Sequence, residues 1–148
     1  MREILFKAKR NDNGEWVEGM PIFDDGDEQW RIIMRLDYST GTCIQTDYAP
    51  RVTTETICQY TGLTDKNGRK IWENDIVKYH FGDAVAPIRF GEYQNCFDAI
   101  NSGHVGFYVD WNADISMRKD LGYWGNMIDC NVIGNVFDNP ELLKGGAE

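Results

Sequence analysis

Histidine is almost missing from this chain, with His80 and His104 the only two. That leaves little material for imidazole-based metal binding or for a Ser-His-Asp triad, which needs a histidine brought beside a nucleophile by folding. Cysteine is sparse too, and Cys43, Cys58, Cys96 and Cys130 stand far apart with no Cys-x-x-Cys pair, so neither a zinc site nor a redox motif is written here. Scattered thiols of this kind read as reduced, mostly buried side chains of a cytoplasmic protein. No run approaches the roughly 18 consecutive apolar residues of a membrane span, and the opening stretch from Met1 to Arg10 interrupts its apolar residues with charge. The expectation is neither leader nor anchor. Phosphate-cradling motifs are missing as well: there is no Gly-x-x-x-x-Gly-Lys-Ser/Thr and no Gly-x-Gly-x-x-Gly after a strand. Basic residues are the minority charge, 15 against 24 acidic, which leaves a net charge of −9 and a pI near 4.6. Coating nucleic acid or binding an anionic membrane needs the opposite balance.

What is present suffices for a core. A chain of 148 residues with 42% hydrophobic content can bury one domain, or two small lobes, without a metal or a disulfide. The dominant pattern is period-2 alternation in short runs closed by Gly, Asn and Asp, which predicts an all-β fold of antiparallel strands. Glu3–Lys9 and Glu15–Ile22 flank Asn11-Asp12-Asn13-Gly14 as a hairpin. Gln29–Leu36 reads as a strand over a weaker helical spacing, and Cys43–Tyr48 and Thr54–Tyr60 are rich in Thr, Ile and Tyr. Asn67-Gly68 is the strongest turn signal, and Asp75–Phe81, Val85–Phe90, Phe97–Ile100, Val105–Trp111 and Ile128–Phe137 continue the series. Pro87 places its strand at an edge. Such a series predicts a small barrel or sandwich. Near the end, Asp138 or Asn139 caps a short helical turn over Glu141–Lys144, with Pro140 at its first position. Turn chemistry is densest between Tyr60 and Asp75, so the division into lobes is expected there, 1–60 and 61–148.

Few residues invite chemistry. Asp24-Asp25-Gly26-Asp27-Glu28 is the densest acidic cluster, yet it lacks the frame of a calcium loop and reads as a solvated connection between strands. His80, with Asp83 three residues on, is better explained as a strand-end histidine than as a general base. Aromatic residues reach 13% and fit the faces of small sheets better than a base-stacking platform. Lys66, Arg69 and Lys70 form one local basic turn within an acidic field.

The run Gln59-Tyr60-Thr61-Gly62-Leu63-Thr64-Asp65-Lys66-Asn67-Gly68-Arg69-Lys70-Ile71-Trp72-Glu73-Asn74-Asp75-Ile76-Val77 resembles the central signature of the YopX family, small proteins encoded by phages and prophages. The start, Met1 to Arg10, and the close, Val132 to Leu143, resemble that family's two ends. Asn74 stands where the family commonly has Gly, and Trp72 where it commonly has Tyr. The resemblance implies a β-rich fold with an SH3-like barrel in the C-terminal half and a biochemical role that is unassigned. It supplies no catalytic residues. Within the signature, Gln59, Tyr60, Thr61, Gly62, Leu63, Asp65, Gly68, Ile71 and Asp75 are the candidate site, read as architecture before ligand binding: glycines for turns, Leu63 and Ile71 packing across a hairpin, Asp75 opening a strand.

The leading expectation is a cytoplasmic, phage-derived accessory protein that binds a host or phage protein, without catalysis and without a cofactor. Self-association through sheet edges is left open by the sequence. The competing class is a metal-dependent hydrolase or nuclease whose carboxylates converge on folding, with Asp65, Asp75, Asp83 and Asp110 as candidates. A weaker third is an acidic mimic of DNA that fills a DNA-binding partner's groove.

Overall fold

The computed structural model describes residues 3–34, 49–79, 84–95, 103–111, 119–121 and 130–145. Alternation is expressed as strands: β1 (Phe6–Lys9), β2 (Trp16–Asp24), β3 (Gln29–Met34), β4 (Cys58–Thr64), β5 (Lys70–Trp72), β6 (Asp75–Tyr79), β7 (Val85–Tyr93), β8 (His104–Val109) and β9 (Cys130–Asn135), before one short helix, α1 (Glu141–Gly145). All pairings of neighbouring strands with a described register are antiparallel. The chain divides into two compact units, Met1–Tyr60 and Thr61–Glu148.

In the first unit, β2 lies between β1 and β3, and β1 pairs on its other side with the start of β4. The register Ala8↔Val17 and Pro21↔Ile32 sends one face inward. Ala8, Val17, Ile32 and Val52 form the core there, with Phe6, Trp30, Met34 and Ile57 packed against it. Burying such side chains contributes roughly 1.5–3 kcal/mol each for the larger aliphatics. Close packing also restricts Gly19, where a Cβ would run into the Ile33 carbonyl of β3. Opposite the core, Lys7 lays its ammonium 4.5 Å from the Trp16 ring centre. Residues 50–53 then tie β3 back to the end of β1: Arg51 bridges Arg31, and Val52 bridges Arg10. Ile32 donates its amide to Pro50, and Thr53 donates to Lys9.

In the second unit the sheet runs β8-β7-β6-β9. Its core is Ile71, Val77, Ala86, Ile88, Val109, Trp111, Leu121 and Val132. The four described strands form an open sheet with β8 and β9 at its two edges, and no closed barrel is formed among the described residues.

Two local expectations need correction. Thr54–Thr56 is a 3-10 turn instead of the start of a strand, because the Thr56 hydroxyl caps the Thr53 carbonyl and accepts the Lys9 amide. Pro87 sits inside the sheet, opposite Ile76 on β6. Its carbonyl faces the β8 side, where it accepts the Asp110 amide just past the end of β8. Opposite residues of a bonded antiparallel pair exchange two hydrogen bonds, so the missing N–H removes only the return bond to Asp110, at the end of β8 where the ladder stops. Cys43–Tyr48 and Phe97–Ile100 lie outside the described residues, as do His80 and Asp83. Cys58 is a buried free thiol that donates to the Thr56 carbonyl. No helix among the described residues is long and apolar enough to cross a membrane.

Candidate functional site

The cross-strand order of the first unit sets three arginines side by side. Arg31 is on β3, Arg51 is its direct neighbour on the 50–53 segment, and Arg10 is bridged to Val52 at the end of β1. Like charges placed opposite one another repel, so this arrangement needs counter-ions. The β2–β3 loop supplies them. Asp24 accepts the Gly26 amide through Oδ1 at 2.9 Å and Arg31 Nε through Oδ2 at 3.0 Å. Asp27 accepts the Gln29 amide through Oδ1 at 3.1 Å. Its Oδ2 receives both Arg31 Nη2 at 2.7 Å and Arg51 Nε at 2.8 Å. Arg31 Nη1 completes its set on the Ala49 carbonyl at 2.9 Å. Glu28, in left-handed backbone at φ 56°, closes the loop that holds these carboxylates in place.

On the other side, Arg10 grips Asp12 bidentately, Nε to Oδ1 at 2.9 Å and Nη2 to Oδ2 at 2.8 Å. Arg10, Asn11, Asp12, Asp27, Gln29, Arg31, Pro50 and Arg51 line a cleft of about 710 Å³. The titrations follow the contacts. For Asp27 burial works to raise the pKa, and the hydrogen bonds from Arg51 and Arg31 outweigh it, so the carboxyl lies below its ordinary value. The hydrogen bond from Arg10 lowers Asp12 in the same way. Burial alone would lower Arg31, but its bonds to Asp27 and Asp24 raise it.

The signature residues fall elsewhere. Gln59 and Tyr60 stand in β4 within the first unit, Gln59 opposite Phe6 and Tyr60 donating its amide to the Leu5 carbonyl. In the second unit, the Thr61 hydroxyl donates to the Ile71 carbonyl at 2.7 Å and accepts the Leu63 amide at 3.3 Å. Gly62 and Gly68 take φ of 89° and 81°, the left-handed region these turns require. Leu63 packs on the core that contains Ile71. Asp65 is buried and spreads its oxygens over three backbone amides, Asn67 and Arg69 at Oδ1 and Val132 at Oδ2. Asp75 accepts the Trp72 amide across the tight turn at Glu73-Asn74. Asn74 has φ 71° and anchors Arg89 Nη1 through its side-chain oxygen at 2.6 Å. None of the nine candidate residues lines the cleft.

Of the four proposed metal carboxylates, Asp65 and Asp75 are held by these backbone amides, Asp110 is exposed just past β8, and Asp83 is outside the described residues. Among the described residues no three His, Cys, Asp or Glu side chains gather to hold a metal ion. Of the basic turn, Arg69 reaches back to the Val132 carbonyl at 3.3 Å. His104 ends a ring stack, 5.2 Å from Tyr93, which lies 5.1 Å from Tyr108. The arginine cleft itself escaped sequence reasoning. Its one local trace is Asp27 and Arg31 four residues apart after an acidic loop, whereas Arg51 lies 24 residues from its partner Asp27.

Fold and cleft together define an all-β protein of two antiparallel sheets whose N-terminal unit carries an arginine–aspartate cleft. The chain belongs to the YopX family: the family, described as YopX protein, matches residues 5–144. Among solved structures it is similar to the crystal structure of protein EF1440 from Enterococcus faecalis, at 23% identity and a TM-score of 0.51, covering 97% of this chain and 99% of that one. At that identity the likeness is one of fold. No curated protein matches the sequence.

Proposed function

We propose that this YopX chain is a phage- or prophage-encoded accessory protein that acts in the host cytoplasm as a non-enzymatic binding module for another protein. The observation that supports this reading is the cleft of the first unit. Its lining of guanidinium groups, carboxylates, two amides and a proline presents many oriented hydrogen-bonding groups in about 710 Å³, a volume in the range of ligand sites. The SH3-like closure of the C-terminal sheet belongs to the same proposal.

The test is purification of a tagged copy from host cells carrying the induced phage, with mass spectrometry of whatever remains bound. The expected result is one protein retained near equal stoichiometry, rebound by the purified chain, and lost when cleft residues are replaced. Repeated purification at low salt that retains no protein would sink the proposal.

A further inference from the structure

We infer that the cleft seats a carboxylate presented by a peptide segment of the partner, with Arg51 as the residue that receives it. The inference rests on the binding-module reading. Three observations carry it.

First, Arg51 is half-satisfied. Its Nε is committed to Asp27 at 2.8 Å, while its two terminal nitrogens donate to no described residue and its side chain is 55% exposed. Arg31, by contrast, uses all three of its nitrogens. A planar guanidinium held at Nε presents its outer edge as a fork, the geometry that meets a carboxylate with two parallel hydrogen bonds. Second, the group is organised before any ligand arrives. Asp27 is itself pinned by Gln29 and Arg31, so part of the ordering cost of a long side chain is already met in the free protein. Beside it, Asn11 accepts the Thr53 hydroxyl at 2.9 Å through Oδ1, which leaves its NH2 as the group it offers the cleft.

Third, the charge balance selects the ligand. Arg10, Arg31 and Arg51 are ion-paired with Asp12, Asp24 and Asp27, so these pairs sum to zero, and Asp25 and Glu28 of the same loop add negative charge within a chain of net charge −9. A phosphate dianion or a nucleic-acid backbone gains nothing from such a field and meets three carboxylates nearby. A single carboxylate keeps its two bonds to the fork at the least electrostatic cost. A basic side chain close to it in the peptide would face Asp12, so a segment of mixed charge fits best.

The test uses the full-length chain and the peptide Ac-Ala-Glu-Ala-Lys-Ala-NH2, followed by 15N NMR. Saturable shifts are expected on the backbone amides of Asn11, Gln29 and Arg51. The same peptide with Gln for Glu should bind roughly tenfold more weakly, the loss of one bidentate charged pair. Arg51→Ala should remove saturation while leaving the remaining spectrum dispersed. Arg51→Lys, which keeps the charge but not the fork, should recover only part of it. Equal binding of the Gln peptide, unchanged binding by Arg51→Ala, or tighter saturation of the same amides by inorganic phosphate would each overturn the assignment. A cellular partner lost from Arg51→Ala, combined with no peptide binding, overturns the carboxylate and leaves the binding module standing.

Discussion

Asp27 carries the most consequence for its size, because one oxygen serves two arginines, one on β3 and one on the 50–53 segment bridged to it. Its folded pKa is depressed below the ordinary 3.8, since the arginine bonds outweigh burial, and Asp12 is depressed by Arg10. A depressed carboxyl stabilises the fold fully above its unfolded pKa and loses that contribution as pH falls through the folded value. In a carboxyl 13C titration both residues should therefore show midpoints below 3.8, and Asp27→Asn should flatten the acid limb of the stability curve. A midpoint for Asp27 at or above the ordinary value would refute the shared contact. Gly19 makes a steric prediction. Adding a methyl there drives it into the Ile33 carbonyl, so Gly19→Ala should cost about 1–3 kcal/mol in urea unfolding, as overpacking does. None of this is visible from residue type alone: a glycine in a strand and an aspartate in an acidic loop read as ordinary until the neighbouring strand is in place.

Most elements were legible because a buried face forces period-2 alternation, and β1, β2, β3, β6 and β8 lie close to the runs that show it. The helical tail was legible for a different reason: Asn139-Pro140 starts it, with Leu142 donating to the Asn139 carbonyl. Errors arose where a side chain or a register bond overrides the pattern, as Thr56 does in making its 3-10 turn and as the ladder's end does around Pro87. The turn between β4 and β5 depends on Asp65 in a way spacing only hinted at. Replacing it by Ala removes the acceptor of three backbone donors, of which the buried Val132 amide is worth about 1–3 kcal/mol when left unpaired. Asp65→Ala should accordingly expose the Asn67, Arg69 and Val132 amides to faster hydrogen exchange and lower the melting midpoint. Unchanged exchange at Val132 would show that the bond is dispensable. Because the carboxylates of Asp65 and Asp75 are engaged by backbone amides, added Mg²⁺ or Mn²⁺ should leave the melting midpoint unmoved. A rise abolished by their replacement would restore the metal-dependent alternative.

At the scale of the molecule, the described residues form two cores with no shared member, one around Ile32 and one around Ile88. Truncations in separate cores should add. Ile32→Val and Ile88→Val should each cost about 0.5–1.5 kcal/mol, and the double variant should match their sum within roughly 0.5 kcal/mol. A larger discrepancy in chemical denaturation would mean that the cores communicate. The candidate site is a whole-molecule property in a way that its strands are not. Hairpins β1–β2 and β2–β3 pair residues close in sequence, whereas Arg51 and Val52 reach Arg31 and Arg10 from far along the chain. Closing such long loops comes at an entropic cost that local hairpins do not meet. On loop-closure grounds the hairpins are expected to zip before the 50–53 segment docks. Arg51 reaches Asp27 only once that segment docks, so this contact reports closure of the long loop within the first unit. A refolding chain would regain its strand circular dichroism before it regains the Arg51–Asp27 contact.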